Sequence, residues 1–177
     1  MIFTAINPEG TFIVQAEKIE DERGFFARSF CKKEFEEQGL DATIAQCSVA
    51  MNKKRGTIRG LHYQAPPCEE TKVVSCLRGS LYDVVLDLRR NSRTYLQWAA
   101  EELHGDDYKM IFVPKGCAHG YQTLGDHTLV SYQMSEFYSP DSYRGVRWND
   151  PAFGIEWPLP DAAIISKKDS SYQDFIK

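Results

Sequence analysis

The stretch VVSCLRGSLYDVVLDL, residues 73–88, consists of two apolar runs separated by Arg78-Gly79-Ser80. In the second run apolar and acidic residues alternate, with Tyr82, Val84, Leu86 and Leu88 on one parity and Asp83 and Asp87 on the other. A period of two is typical of β-strands. We therefore predict two strands here, joined as a hairpin through Gly79.

Further strands are expected on either side of this segment. Apolar runs occur at 110–114 and 129–134, and glycines punctuate the chain between them at Gly116, Gly120 and Gly125. The spacing is that of an antiparallel sandwich or barrel, and a β-α-β alternation is absent. The sequence predicts an all-β fold whose open barrel mouth would form a small-molecule site.

Helical segments are expected to be few and peripheral. One short helix is predicted at 31–38, with Ser29 as its N-cap and Gly39 as its C-terminal stop. The C-terminal third is rich in Pro, Trp, Asp and Tyr, and it lacks clear periodicity. We expect it to wrap the barrel as loops and short helices.

Composition narrows the class of protein. With 177 residues, of which 42% are hydrophobic, the chain can form one domain spanning 1–177. A net charge of −4, spread along the chain, argues against nucleic-acid or anionic-membrane partners. No apolar run approaches the ~20 residues of a membrane span, so we expect a cytoplasmic protein. The odd number of cysteines, five, indicates free thiols, with Cys76 and Cys117 in the core.

Two histidine motifs are candidates for chemistry. The first is Arg59-Gly60-Leu61-His62-Tyr63-Gln64, followed ten residues after the histidine by Lys72. A histidine can act as a general base near neutral pH, although a surface histidine is at least as common. Strand parity puts His62 with Gly60 and Gln64, so Arg59 and His62 meet only if Gly60 bends the strand.

The second motif, PKGCAHG at 114–120, has the P-x-G-x-x-H spacing of the second cupin motif. Metal-binding cupins supply further histidines from an H-x-H in the first motif, but this chain has His62-Tyr63-Gln64 there. His104 and His127 lie in turn-like, acidic surroundings and are expected to be exposed. Two plausible ligands are too few for a closed site, so we expect no metal and no other cofactor.

Taken together, these segments resemble the dTDP-4-dehydrorhamnose 3,5-epimerase family over nearly the whole chain. The matching segments are 21–26 (DERGFF), 56–64 (GTIRGLHYQ) with 66–67, Lys72, 82–84 with 87–89, 114–120, Tyr132 with Tyr138, 147–151 (RWNDP) and 166–169 (SKKD). The order RGLHYQ, AHG, WNDP and SKKD makes the signature highly specific.

The resemblance implies a homodimeric cupin-type jelly-roll barrel that epimerises a nucleotide-linked 4-keto-6-deoxyhexose at C3 and C5, in deoxysugar biosynthesis for cell-surface polysaccharides. It implies that His62 is the base, that Asp169 holds it, that Lys72 faces the C4 carbonyl oxygen and that Tyr132 is the acid. Tyr138 is the fallback acid. The residues that resemble substrate contacts are Arg23, Phe26, Gln46, Arg59, His119, Tyr138 and Lys168.

The chain departs from the family pattern at two positions. Arg28 and Tyr143 stand where many members of the family have acidic residues near the nucleotide, so the nucleotide need not be deoxythymidine. An epimerase that inverts only one centre would need the same base and acid. Two different classes of protein also share parts of the pattern: a metal-dependent cupin oxygenase and a non-catalytic sugar-nucleotide-binding barrel.

Overall fold

The structure is a computed structural model that describes residues 1–176. The strands within that range are β1 (Ile2–Ile6), β2 (Thr11–Gln15), β3 (Lys18–Asp21), β4 (Gly24–Ala27), β5 (Gln46–Asn52), β6 (Ile58–Gln64), β7 (Lys72–Arg78), β8 (Ser80–Asp87), β9 (Trp98–His104), β10 (Lys109–Val113), β11 (Cys117–Thr123), β12 (Thr128–Met134) and β13 (Tyr143–Gly145). The helices are α1 (Lys32–Glu37), a 3₁₀ turn at Pro160–Ala162, and α2 (Lys167–Ser170). Within residues 1–176, none of the helices has the length and apolar character needed to cross a lipid bilayer.

The strands form two antiparallel sheets and a separate arm. One sheet has the order β1-β2-β10-β7-β12-β5 and the other β13-β6-β11-β8-β9, while β3 and β4 pair only with each other. Neighbours in each sheet are mostly distant in sequence, as in a jelly roll. The predicted all-β, cupin-type jelly-roll fold with short peripheral helices is confirmed.

The predicted hairpin at 73–88 is wrong, although both of its strands are present. Strand β7 pairs with β10 and β12, whereas β8 pairs with β9 and β11 in the other sheet. Gly79, with φ +81°, turns the chain from one sheet to the other. Val74 of β7 and Val85 of β8 then face the same core from opposite sides. Alternation identifies strands but does not identify their partners.

The main core lies between the two sheets, and further clusters cover the outer face of the five-stranded sheet and part of that of the six-stranded sheet. Side chains from both sheets form the central cluster: Val74, Cys76, Leu81, Val85, Leu103, Ile111, Val113, Cys117, Tyr121 and Val130. The C-terminal segment covers the five-stranded sheet through Phe153 and Trp157. Burying one such side chain contributes about 1.5–3 kcal/mol. Strand β8 is covered on both faces. The face that carries Asp83 and Asp87 is therefore buried as well.

Helix α1 covers part of the other sheet and agrees with the predicted helix to within a residue at each end. Gly39, with φ +72°, follows its last turn as predicted. The predicted cap is wrong, because the N-cap residue is Cys31 and makes no side-chain cap bond, whereas Ser29 lies outside the helix. The fully buried Phe35, packed on Phe3 at a ring distance of 5.1 Å, fixes the helix by tertiary contact instead.

Candidate active site

A cavity of about 620 Å³ opens between the two sheets, a size typical of small-molecule sites. Strands from both sheets and the C-terminal segment line it. The polar and aromatic lining residues include Gln46, Arg59, His62, Glu70, Lys72, His119, Tyr121, Tyr132, Tyr138, Tyr143 and Asp169. The cavity therefore gathers most of the site residues predicted from the sequence.

A bulge at Gly60 brings Arg59 and His62 into the same cavity despite their opposite parity. The pairing of β6 with β11 shifts register between His119 and Tyr121, and Gly60 there has φ +109°. A Cβ at Gly60 would lie 2.6 Å from the backbone oxygen of His119, so only glycine fits this crossing. The sequence did not decide whether Gly60 bends the strand. The structure shows that it does.

His62 is hydrogen-bonded to the carboxylate of Asp169, with 2.7 Å between Nε2 and Oδ1. Burial alone raises the pKa of Asp169, but bonds from His62, Ser166 and the Gly60 amide outweigh it and leave that pKa below its usual range. Asp169 is therefore a carboxylate at neutral pH and can only accept a hydrogen bond. The shared proton is assigned to Nε2, which leaves Nδ1 of His62 free to act as a base.

Asp169 owes its position to local capping in α2. The Ser166 hydroxyl accepts the Asp169 amide at 3.0 Å, which starts the helix and points the carboxylate into its first turn. Upstream, the Ile164 backbone exchanges hydrogen bonds with Gly56 and Ile58 on the edge of β6, at 2.9 and 2.8 Å. The short helix is thus carried on the strand that bears His62.

A second histidine–carboxylate pair lies deeper in the cavity. Nε2 of His119 is 2.9 Å from both carboxylate oxygens of Asp83, and the two side chains are 4% and 0% exposed. Burial raises the pKa of Asp83, and the neighbouring His119 opposes that shift. The resemblance makes His119 a substrate contact, and the structure places it in the buried part of the cavity wall, beside Tyr132 at a ring distance of 6.3 Å.

Lys72 is the cation on the opposite sheet. Its ammonium group donates to the backbone oxygen of His62 at 3.3 Å and lies 3.1 Å from the carboxylate of Glu70. Both side chains are nearly buried, at 12% and 11% exposure. The pair holds the ammonium group at the cavity surface, next to the strand of the candidate base.

Tyr132 faces the cavity from β12, whereas His62 faces it from β6 in the other sheet. Burial raises the pKa of Tyr132 well above its ordinary value, and the neighbouring Tyr121 hydroxyl acts in the same direction. The Tyr121 hydroxyl is itself bonded to the buried Asn52 side chain. Tyr132 is therefore a neutral phenol on the wall opposite His62.

The rim of the cavity is aromatic. Tyr138 is 57% exposed and follows the end of β12, so it does not share a strand with Tyr132. The ring of Tyr143 lies 5.5 Å from that of Tyr138 and 5.1 Å from that of His62. The Lys168 ammonium group stacks on Tyr143, 4.1 Å from its centroid. Gln46 accepts the Tyr138 backbone amide.

Three predicted substrate contacts are not in the cavity lining: Lys168, which stacks on the rim residue Tyr143, and two residues of the arm. Arg23 and Phe26 belong to the β3–β4 arm, where Arg23 pairs with Asp21 and Phe26 is 72% exposed. Arg28, one of the two departures from the family pattern, bonds Glu34 of α1 at 2.6 Å and does not line the cavity. Within one chain, the arm is thus not part of the site.

Four residues of the site were not singled out from the sequence: Glu70 and Tyr121, which line the cavity, and Asn52 and Asp83, which bond to the lining residues Tyr121 and His119. Asp83 gave one usable signal, because an acidic residue sits inside an otherwise apolar strand. Glu70 gave none, since Glu69-Glu70 resembles an ordinary solvated loop. Only the fold shows that it faces Lys72.

The described residues also show how possible metal ligands and the core thiols are placed. No group of three or more His, Cys, Asp or Glu side chains within 1–176 is arranged to hold a metal ion. Burial raises the pKa of Cys76 to about 11 and that of Cys117 to about 12. These thiols are core residues, as predicted, and their protonated state makes them poor nucleophiles.

Comparison with known proteins identifies the family. The family model described as dTDP-4-dehydrorhamnose 3,5-epimerase matches residues 5–177. The chain belongs to the dTDP-4-dehydrorhamnose 3,5-epimerase family. It is 37% identical to the protein of that name from Sinorhizobium fredii, over 97% of this chain and 88% of the relative. The predictions of family and of enzyme class, an isomerase, are confirmed.

Solved structures of the epimerase family have the same fold. The enzyme from Elizabethkingia anophelis superposes with a TM-score of 0.96 at 34% identity, covering 99% of this chain and 96% of that one. The Bacillus anthracis enzyme, solved with TDP and PPi bound, gives 0.94 at 38% identity, covering 98% and 99%.

Proposed function

We propose that this chain epimerises a nucleotide-linked 4-keto-6-deoxyhexose, with dTDP-4-dehydro-6-deoxy-D-glucose converted to dTDP-4-dehydro-L-rhamnose. The observation that carries the proposal is that a carboxylate-bonded histidine and a protonated tyrosine line opposite walls of one cavity, His62 in one sheet and Tyr132 in the other. Inversion requires a proton to leave from one face of the sugar ring and to return on the other.

In this reaction His62 removes the proton beside the C4 ketone. The Asp169 carboxylate, 2.7 Å away, fixes the ring and stabilises the imidazolium that forms. The electron pair left on carbon moves to the C4 oxygen and makes an enolate. The nearly buried Lys72 ammonium group stabilises that charge, because electrostatic interactions are stronger in a site shielded from water.

Tyr132 then returns a proton from the other wall. Its raised pKa keeps the hydroxyl protonated at neutral pH, as a donor must be. The phenolate that results lies beside Tyr121, which is bonded to Asn52. His119, buried beside Tyr132, is positioned to contact the sugar more readily than the diphosphate.

The rim of the cavity is suited to the nucleotide. Arg59 is the exposed arginine that lines it, and an arginine fork matches diphosphate oxygens. The exposed ring of Tyr138 offers a stacking surface for the base or sugar. Lys168, stacked on Tyr143 next to this rim, adds a second cation.

The function is tested by incubating the protein with 4-keto-6-deoxyhexoses linked to dTDP and, separately, to CDP, and by following the products by NMR. Inverted product is expected, with activity surviving exhaustive chelation. Inversion at only one of C3 and C5 would identify a single-centre epimerase. Absence of any inversion contradicts the proposal, and activity that is lost on chelation and restored by metal points to a metal-dependent cupin.

We also propose that the active form is a homodimer and that it acts in the cytoplasm. Ile19 and Phe26 pair on one face of the arm and are 70% and 72% exposed. Strand β5, at the edge of its sheet beside the cavity, exposes Val49 and Met51 at 68% and 42%. Docking the arm of a second copy there would cover both patches and bring Arg23 to the cavity.

The dimer is tested by light scattering after gel filtration. Wild type is expected at twice the mass of one chain, and Phe26→Asp should yield monomers with weakened dTDP binding. Leu77→Asp, at a residue 51% exposed on β7, serves as the control and should leave the dimer intact. A wild-type monomer that binds dTDP normally contradicts the proposal.

The proposed location in the cytoplasm is supported by the five cysteines, all of which are unpaired, because thiols stay reduced in that compartment.

A further inference from the structure

Residues 166–175, which include Asp169, form a strap across the five-stranded sheet. Its first end is attached to β6 through Ile164. At its far end the Phe175 amide donates to Asp150 at 2.5 Å, and Asp174 pairs with Arg147 at 2.6 Å. Asp169 lies between these attachments, in a helix of only four residues. So short a helix has little stability of its own.

The strap makes its closest approach to the barrel where Tyr172 crosses Gly145. A Cβ built at Gly145 would lie 2.3–2.6 Å from three atoms of the Tyr172 phenol, so the ring lies directly on the glycine backbone. Gly145 is the residue of β13 that pairs with His62 of β6. The ring of Tyr172 accordingly lies 6.4 Å from the His62 ring, edge to face.

The hydroxyl of Tyr172 contributes no hydrogen bond within residues 1–176. It is buried and has no hydrogen-bond partner among the described residues. The contact with Gly145 is made by the ring atoms Cζ and Cε2 together with the hydroxyl oxygen, and it is a packing contact and not a hydrogen bond. We propose that Tyr172, seated on Gly145, is a positioning residue that holds the strap so that the Asp169 carboxylate stays on Nε2 of His62. The inference rests on the proposed role of His62 as the base.

Removing the ring should slow turnover without weakening substrate binding. Tyr172→Ala is expected to lower kcat by up to about a hundredfold, because misplacing a catalytic group by about 1 Å can cost that much. KM and dTDP affinity should change little, since Arg59 and Tyr138 lie on other elements. Tyr172→Phe keeps the ring and should restore the wild-type rate. Loss of activity in Tyr172→Phe would overturn the ring-based account.

A double-mutant cycle isolates the contact. Gly145 does not have a positive φ, so Gly145→Ala adds a methyl group that displaces the ring without straining the backbone. The single change should reproduce the defect of Tyr172→Ala. Because Tyr172→Ala leaves room for the new methyl group, the double variant should be no slower than Tyr172→Ala alone. Additive losses would contradict the inference.

Two further readouts separate this claim from general loosening and from the proposed function. Asp174→Asn removes the 61% exposed carboxylate of the pair with Arg147 and should leave kcat unchanged, because the Phe175–Asp150 bond still attaches that end of the strap; an equal loss there would show that Tyr172 has no special role. The Nε2–H signal of His62, recorded by ¹⁵N NMR without substrate, should change in Tyr172→Ala and persist in Tyr172→Phe. An unchanged signal in Tyr172→Ala overturns the inference, whereas a wild type unable to epimerise contradicts the proposed function alone.

Discussion

His62 is held by a carboxylate 107 residues away in the chain, and that single bond defines its chemical role. The Asp169 carboxylate occupies Nε2, so Nδ1 is left free for the role of base that we propose. Nothing in the spacing of the sequence predicts this contact. Only the resemblance to the epimerase family predicts that the two residues pair.

Replacing His62 should abolish turnover and leave nucleotide binding largely intact. We expect His62→Asn to lower kcat by ~10²–10⁴-fold, the usual cost of losing a general base. Affinity for dTDP, measured by calorimetry, should change little because Arg59 and the rim tyrosines are untouched. His104→Asn is the matched control, since His104 is exposed and remote from the cavity. Wild-type turnover in His62→Asn would remove His62 from the mechanism.

At the scale of single elements, one glycine, Gly60, forms the bulge that places Arg59 and His62 of strand β6 in the same cavity. Strand parity alone separates Arg59 from His62, and the sequence could state only that a bend at Gly60 would reunite them. The strand and its residues were predictable from local pattern. The bulge was not predictable from local pattern. It depends on how closely β11 approaches β6 at Gly60, and that distance is a property of the folded sheet.

Gly60→Ala should therefore impair the site and the fold together. A methyl group at φ +109° and 2.6 Å from the His119 backbone oxygen forces β6 and β11 apart. We expect destabilisation of about 1–3 kcal/mol by urea titration and a marked loss of kcat. Gly39→Ala controls for backbone strain, because Gly39 has φ +72° but open space around it. Equal effects in the two variants would rule out the crossing as the cause.

At the scale of the whole molecule, the sequence predicted the class of fold better than its connections. The strands at 73–88 were correct, but their pairing as a hairpin was wrong, because β7 pairs within the six-stranded sheet and β8 within the five-stranded sheet. Arg23 and Phe26, assigned to the substrate by resemblance, do not reach the cavity of their own chain. Tertiary pairing and association with a second copy are not encoded in local periodicity.

A buried carboxylate away from the cavity should make the fold sensitive to acid. Burial alone raises the pKa of Asp87, but bonds from Arg89, Ser92 and Thr94 outweigh it and lower that pKa to about 2. The ordinary value is 3.8. A depressed pKa gives stability that is present above the unfolded-state value and is lost as the pH falls through the folded one. Asp87 therefore ceases to stabilise the fold between about pH 4 and pH 2.

Asp87→Asn should reduce the free energy of unfolding by about 1–3 kcal/mol at pH 7, since it weakens charge-assisted bonds to Arg89. Its stability should also fall less steeply than that of wild type between pH 4 and pH 2, as measured by chemical denaturation. Glu9→Gln, which removes an exposed pair with Arg93, is the control and should change little. Parallel pH curves for Asp87→Asn and wild type would contradict this assignment.

If a base and an acid act from opposite walls of one cavity, proton removal and proton return can be separated by deuterium exchange. The 4-keto-6-deoxyhexose nucleotide is incubated in deuterium oxide with wild type, His62→Asn and Tyr132→Phe, and incorporation at C3 and C5 is followed by NMR. We predict exchange with inversion in wild type, neither in His62→Asn, and exchange with little inverted product in Tyr132→Phe. Tyr138→Phe is the comparator, and loss of inversion there alone would transfer the acid role to Tyr138. Wild-type exchange in His62→Asn would contradict the account.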